Sequence, residues 1–280
     1  MGRLAGAQAP GDAGSRNAGR DDRRRAADRD DCDAAVAAAQ TLLEWASGVL
    51  FDFDGPVCRL FPRDSSRPLA DELRRLVTAF GLDDVLTGDE RTGKDPHLVL
   101  RAVHRAAARS AVRRRFAYVD FARLVGVLEA TLTEGELAAV RVAWPTPDAD
   151  AFIGSLADRG LSLAVVTNNS PSAVERYLGE RGLEGRFKAI HGRTADPGLM
   201  KPHPDVVRRA LAGLGLPPQD AVMIGDTPTD LEAALEAGVG FIGYGRNEAK
   251  RKLLRDAGAK VVLGAYAALI EGAGDRNASF

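Results

Sequence analysis

The 280-residue chain has only two cysteines, Cys32 and Cys58, too few for a disulfide framework in a chain of this size. A reduced intracellular setting is therefore expected. Cys58 stands four residues beyond Asp54, but no histidine lies near it in sequence to activate a thiolate, so both thiols read as structural. No stretch is long and apolar enough to span a bilayer. Arg23 to Arg25 precede an apolar segment from Ala34 to Trp45, yet Gln40 and Glu44 interrupt it and no small-residue cleavage pattern follows, so it is not an export signal. The expected location is the cytoplasm. Net charge is also missing: a formal balance of -1 gives no global field to attract nucleic acid or a membrane surface. The run Asp21 to Asp31 mixes both signs and reads as a solvated leader. Residues 1–32 have almost no large apolar side chains, and are expected to form a disordered tail.

What remains is an ordinary globular composition, 45% hydrophobic and 28% charged. The segment Asp33 to Ala46 favours a helix that Gly48 stops. Val49 to Phe51 then reads as a strand buried on both faces. After Gly55, three prolines and no clean period predict a loop or small hairpin. Four helical patterns follow without a strand: Leu69 to Phe80, Asp95 to Arg109, Phe116 to Thr131 and Glu134 to Ala143. They predict an inserted bundle, closed by Trp144-Pro145-Thr146-Pro147. From Asp148 the pattern alternates. Strands are expected at Leu161 to Val166, Lys188 to His191, Ala221 to Ile224, Val239 to Tyr244 and Lys260 to Leu263. Helices are expected at Asp148 to Arg159, Pro171 to Arg181, Pro204 to Leu214 and Pro228 to Ala237, then from Glu248 with Asn247 as cap, and last a short closing helix. Short connections between alternating units mean an α/β fold, a Rossmann-like doubly wound parallel sheet with helices on both faces. The expected division is a core of residues 33–60 and 145–275 with a helical insertion of residues 61–144.

In such sheets, polar groups that act on ligands collect at the carboxyl ends of the strands. Asp52 and Asp54 stand where the first strand ends, and side chains two apart on extended backbone point the same way. Two carboxylates that close repel unless a cation lies between them or one keeps its proton. The alternative is an acidic turn formed by Gly55 and Pro56. Thr167, Asn168 and Asn169 follow the strand ending at Val166, where a hydroxyl and free N–H groups beside a helix start make an anion site, although Thr167 and Ser170 could simply cap that helix. Lys201 sits between Met200 and Pro202 on a rigid non-helical segment; taken alone it is an ordinary surface lysine. Asp226 ends another apolar strand, and Asp230 follows one turn later. Capping would account for Asp230 but leaves Asp226 without a purpose. Together Asp52, Asp54 and Asp226 offer the hard oxygen ligands that magnesium takes, and Thr167 and Lys201 offer donors to a phosphate.

The set F-D-F-D-G, V-V-T-N-N, M-K-P-H-P and M-I-G-D-T-P-T-D resembles the four signatures of the haloacid dehalogenase superfamily, from about Gly48 onward, and is most similar to its phosphoglycolate phosphatase and phosphoglucomutase branches. The resemblance implies a Rossmann-like core whose helical insertion is a cap, and a magnesium-dependent phosphomonoester hydrolase acting on a small phosphorylated metabolite, with phosphoglycolate the best single expectation. It implies Asp52 as nucleophile, Asp54 as acid and base, Thr167, Asn168 and Lys201 around the phosphate, and Mg2+ on Asp52, on Asp54 through its backbone carbonyl, and on Asp226. Asp230 would orient waters or pair with Lys201. Relatives usually continue the first signature with Thr and an acid, where this chain has Gly55-Pro56-Val57-Cys58-Arg59. A sugar-phosphate mutase would need the same four signatures, whereas a non-catalytic phosphate-binding or regulatory module on the same fold would have no need for Asp54. Arg101, Arg105 and Arg109, with His97 one turn earlier, lie on one helix face that could meet an acidic substrate group or simply be solvated. His104, His191 and His203 have no expected role, and Trp45 and Trp144 are expected to pack at the approaches to the insertion. A monomer or homodimer without nucleic-acid or membrane partner completes the expectation.

Overall fold

The computed structural model describes residues 32–274; the expected leader, apart from Cys32, lies outside them. The first helix, α1, covers residues 32–45, and strand β1 is Gly48–Phe51. A two-residue strand, β2 (Cys58–Arg59), leads to α2 (Arg67–Ala79), α3 (Gly88–Thr92), α4 (Pro96–Ala108), α5 (Ser110–Arg115) and α6 (Phe121–Val140). Strand β3 (Trp144–Pro145) pairs antiparallel with β2, so the segment after Gly55 is no local hairpin: it closes the two ends of the insertion on each other. The alternating half is α7 (Ala149–Asp158), β4 (Ser162–Val166), α8 (Pro171–Arg181), β5 (Ala189–His191), α9 (Asp205–Leu214), β6 (Ala221–Gly225), α10 (Pro228–Ala237), β7 (Gly240–Tyr244), α11 (Glu248–Asp256), β8 (Val262–Leu263) and α12 (Ala267–Gly274).

Six parallel strands run in the order β5-β4-β1-β6-β7-β8. Strand β1 is central because Val49, Leu50 and Phe51 are apolar on both faces and can be covered on both. Its alternate residues separate the two layers. Val49 and Phe51 join Leu163, Val165, Val222 and Ile224 beneath α1, α7 and α8, whereas Leu50 joins Ala164, Val166 and Met223 beneath α9 and α10. Each fully buried side chain of this size contributes ~1.5–3 kcal/mol, which fixes the register, since a one-residue slip would exchange the two faces. Phe51 lies opposite Val165 and Ile224, so Asp52, Thr167 and Asp226 all leave the sheet at the same edge.

The helical insertion has its own apolar cluster, with Leu73, Leu100, Leu124, Leu128 and Leu132 fully buried. Met200, from the segment before α9, packs into that cluster and brings Lys201 beneath the insertion. The two helices expected at Phe116 to Thr131 and Glu134 to Ala143 are one helix, α6, which starts later because Asp120 caps it through the Arg123 N–H. Gly135 does not break it: a Cβ there would lie 2.5 Å from Leu69 Cδ2, so this glycine lets α6 approach α2. Trp45 does not pack as expected and is 82% exposed, while Trp144 lies under the guanidinium groups of Arg59 and Arg63 at 5.2 and 4.9 Å. Cys32 is exposed, Cys58 is buried, and both are free thiols. No helix among the described residues is long and apolar enough to cross a membrane.

Candidate active site

Asp52 is the first residue past β1, where its N–H still donates to Ile224 O at 2.8 Å. Its side chain therefore inherits the rigidity of the central strand. Lys201 Nζ donates to Asp52 Oδ1 at 2.7 Å, contacts Asp230 Oδ1 at 2.6 Å, and donates to Val166 O at 3.0 Å. Three acceptors match the three ammonium protons, so Lys201 is a fully satisfied buried cation, only 2% exposed. The surface-lysine alternative is excluded.

Asp230 is occupied on both oxygens. Oδ1 meets Lys201, and Oδ2 accepts from Asp226 N (3.1 Å), Thr227 N (3.0 Å) and Thr227 Oγ1 (2.7 Å). It thus caps α10 and pairs with Lys201 at once. Asp226 is buried and accepts from Lys250 Nζ at 2.7 Å. Asp54 accepts from the Leu60 N–H at 2.9 Å, which turns that carboxylate toward the neck of the insertion. Thr167 Oγ1 donates to Asn169 Oδ1 at 3.0 Å, and the Asn168 side chain pairs with the Lys201 backbone, accepting from its N–H at 2.8 Å and donating to its carbonyl at 3.2 Å. Asp52, Asp54, Thr167, Asn168, Lys201, Asp226 and Asp230 all line one cavity of about 350 Å³ between the sheet edge and the insertion.

The close carboxylate group is Asp52, Asp226 and Asp230, with one oxygen of each within 4.8 Å of the others. Burial pushes Asp52 up to about 7, with Asp230 adding to the rise and Lys201 opposing it. Burial, with Asp226 nearby, pushes Asp54 up to about 6, and burial also raises Asp226. Four acids thus face two ammonium groups, Lys201 and Lys250. A divalent cation fits this donor set: the ligands are hard oxygens, and the burial that raises Asp52, Asp54 and Asp226 is offset when a cation lies between them.

Of the cationic helix face, His97 alone reaches the cavity. Arg105 instead pairs with Glu90 at 2.5 Å, Arg101 reaches the Lys201 carbonyl at 3.5 Å, and Arg109 ends α4; none of the three lines the cavity. His97 bridges Asp95 (3.1 Å) and Glu136 (3.1 Å), and these contacts outweigh burial and raise it to about 9. Both ring nitrogens are thereby engaged. Lys250 was not expected at the site; its place in the first turn after β7, at the same strand edge, is the signal that marks it. Arg59, Lys94 and Arg246 also line the cavity. Arg193, Glu136 and Thr146 are buried close by, and no sequence motif marks them.

The family model of the haloacid dehalogenase-like hydrolases matches residues 46–238. A phosphoglycolate phosphatase of Rhodospirillum rubrum is 29% identical over 232 residues, 79% of this chain and 88% of that protein. A phosphoserine phosphatase of Thermus thermophilus is 37% identical over 94 residues, 33% of this chain and 37% of that protein. The solved structure of CbbY from Rhodobacter sphaeroides in complex with phosphate superimposes with a TM-score of 0.53 at 22% identity, covering 79% of this chain and 95% of that one, a likeness of fold.

Proposed function

The chain belongs to the haloacid dehalogenase-like hydrolases, and from that premise we propose that it is a magnesium-dependent phosphomonoester hydrolase working through an aspartyl phosphate on Asp52. The observation that carries this reading is the buried chain of contacts Asp52–Lys201–Asp230 beside Asp226, on the rigid edge of the sheet. A carboxylate with no packing purpose, fixed against a buried ammonium, is a nucleophile held in one direction.

In the first step an Asp52 oxygen attacks phosphorus, forming the acyl phosphate bond as the phosphorus–oxygen bond to the leaving group breaks. Asp54, raised to about 6 by burial, holds a proton near neutral pH for part of the time and delivers it to the leaving oxygen. Water then attacks the phosphoryl group, Asp54 takes its proton, and inorganic phosphate and free Asp52 result. The Thr167 hydroxyl and the Asn168 N–H hold the transferring oxygens, and the Lys201 ammonium, already bonded to Asp52, Asp230 and the Val166 carbonyl, adds positive charge beside them. Asp52, the Asp54 backbone carbonyl and Asp226 would hold Mg2+, whose charge offsets the repulsion between an anionic nucleophile and an anionic ester. Residues 61–144 act as the cap over residues 33–60 and 145–275, and exclude water from the cavity.

For the substrate, a small ester bearing a further negative group, phosphoglycolate foremost, is favoured. The Rhodospirillum rubrum relative supports this, as do Arg59, Lys94 and Arg246 around the cavity. The test is phosphate release from a panel of metabolite esters, with and without Mg2+. Mg2+-dependent release that favours phosphoglycolate over neutral sugar monophosphates is expected. Absence of release from every ester would overturn the reading.

A further inference from the structure

Arg193 lies two residues beyond β5 and its side chain is fully buried against Glu136, which is equally buried. Glu129, Thr133 and Glu136 follow one another at four- and three-residue steps, which places them on one face of α6. Arg193 uses all five of its N–H groups. Nε donates to Glu129 Oε2 (2.6 Å), Nη1 to Glu136 Oε1 (2.9 Å) and to the Asn168 carbonyl (2.7 Å), and Nη2 to Thr133 Oγ1 (3.1 Å) and Glu136 Oε2 (3.1 Å). Glu136 in turn accepts from Asn169 Nδ2 at 3.0 Å and from the Ser170 N–H at 2.8 Å.

These contacts reach the phosphate-binding loop by two routes. One is the Asn168 backbone, gripped by Arg193 at its carbonyl while its side chain is pinned to Lys201. The other is the planar amide of Asn169, which donates to Glu136 at one end and accepts from the Thr167 hydroxyl at the other. A buried ion pair of this kind is a poor way to gain stability, since an apolar pair of similar volume serves as well, but it fixes orientation. Contacts with His97 and Arg193 outweigh burial and hold Glu136 down at about 2, so the pair stays charged across the physiological range and is no pH switch.

We propose that Arg193 and Glu136 are positioning residues, forming the joint through which the docked helix α6 sets the place of the Thr167 side chain and the direction of the Asn168 N–H. The donors to phosphate are then complete only while the insertion is seated on the sheet, which couples cap position to chemistry. The inference rests on the proposed function in one respect, that Thr167 and Asn168 hold phosphate.

The test compares E136Q with E129Q in the full chain, by hydrogen exchange and by inhibition of aryl phosphate hydrolysis with inorganic phosphate. E136Q is expected to raise the inhibition constant for phosphate about tenfold and to speed exchange in 167–170 together with 121–140. E129Q, which loosens Arg193 from the far end of the same face, should speed exchange in α6 while leaving the inhibition constant within twofold. An unchanged loop in E136Q, or equal effects in both variants, overturns the proposal. If E136Q does not fold, R193K keeps the charge but loses the grip on the Asn168 carbonyl; a threefold or greater rise in the inhibition constant supports the joint, and a wild-type value overturns it. Should the wild type hydrolyse no ester, the proposed function falls, while exchange in the two segments, coupled or independent, still decides whether the joint exists.

Discussion

Replacing Lys201 by Met keeps the length of the side chain but removes the only cation in contact with Asp52 and Asp230 among the described residues. Two buried carboxylates would then face each other without the ammonium at 2.7 and 2.6 Å, and Val166 O would lose a donor at 3.0 Å. Removing one partner of a buried pair costs about 3–5 kcal/mol, which a methionine of similar volume does little to offset because the acids remain. The pH dependence has a definite sign. Without Lys201 the folded-state pKa of Asp52 rises further above the ordinary carboxylate range and that of the wild type, about 7. A carboxyl group raised on folding is destabilising above its unfolded pKa, near 3.9, and the full cost is present only above its folded value. The stability difference between wild type and Lys201→Met should therefore be largest at pH 8 and shrink toward pH 5. Urea unfolding at both pH values measures it. A loss below about 1 kcal/mol at pH 8, or one that grows on acidification, would refute the electrostatic account.

Further outcomes follow from the same contacts. Lys250→Met removes the ammonium 2.7 Å from Asp226 Oδ2, so calorimetric titration should show Mg2+ binding about tenfold tighter, while the metal-free protein melts lower; weaker binding would contradict a cation shared between lysine and metal. Gly55→Ala would place a Cβ 2.5 Å from Asp226 Cγ, at a φ of +131° that favours glycine, and should cost more than ~2 kcal/mol in unfolding experiments and weaken Mg2+ binding in the same titration.

The centre of the sheet was legible because β1, β4 and β6 are short apolar runs buried on both faces, each followed by a polar residue at the same edge. Asp52, Thr167 and Asp226 could be placed relative to one another from that rule alone, and the structure lines them along one cavity. Lys201 was harder, since what buries it is Met200 packing into the insertion, a contact set by tertiary structure. The helices expected at Phe116 to Thr131 and Glu134 to Ala143 are one because Leu128, Leu132, Glu136 and Ala139 carry a single buried face across the expected gap, and the glutamate in that row hides its continuity from a reading by apolar period. The pairing of β2 with β3 joins Cys58 to Pro145 and Arg59 to Trp144, and no local pattern reports a partner so far along the chain. Arg193 and Glu136 were invisible for the opposite reason: a lone arginine in a loop and a glutamate in a helix look solvated until the helix docks.

The central claim concerns Asp52, and Asp52→Asn tests it with little change of shape, because the amide oxygen can still accept from Lys201. Hydrolysis of phosphoglycolate and of an aryl phosphate in Mg2+, measured beside the melting temperature, should show a fall in kcat of at least ~10³-fold in a protein that melts no lower than the wild type. Turnover near the wild-type rate in that variant would contradict the account.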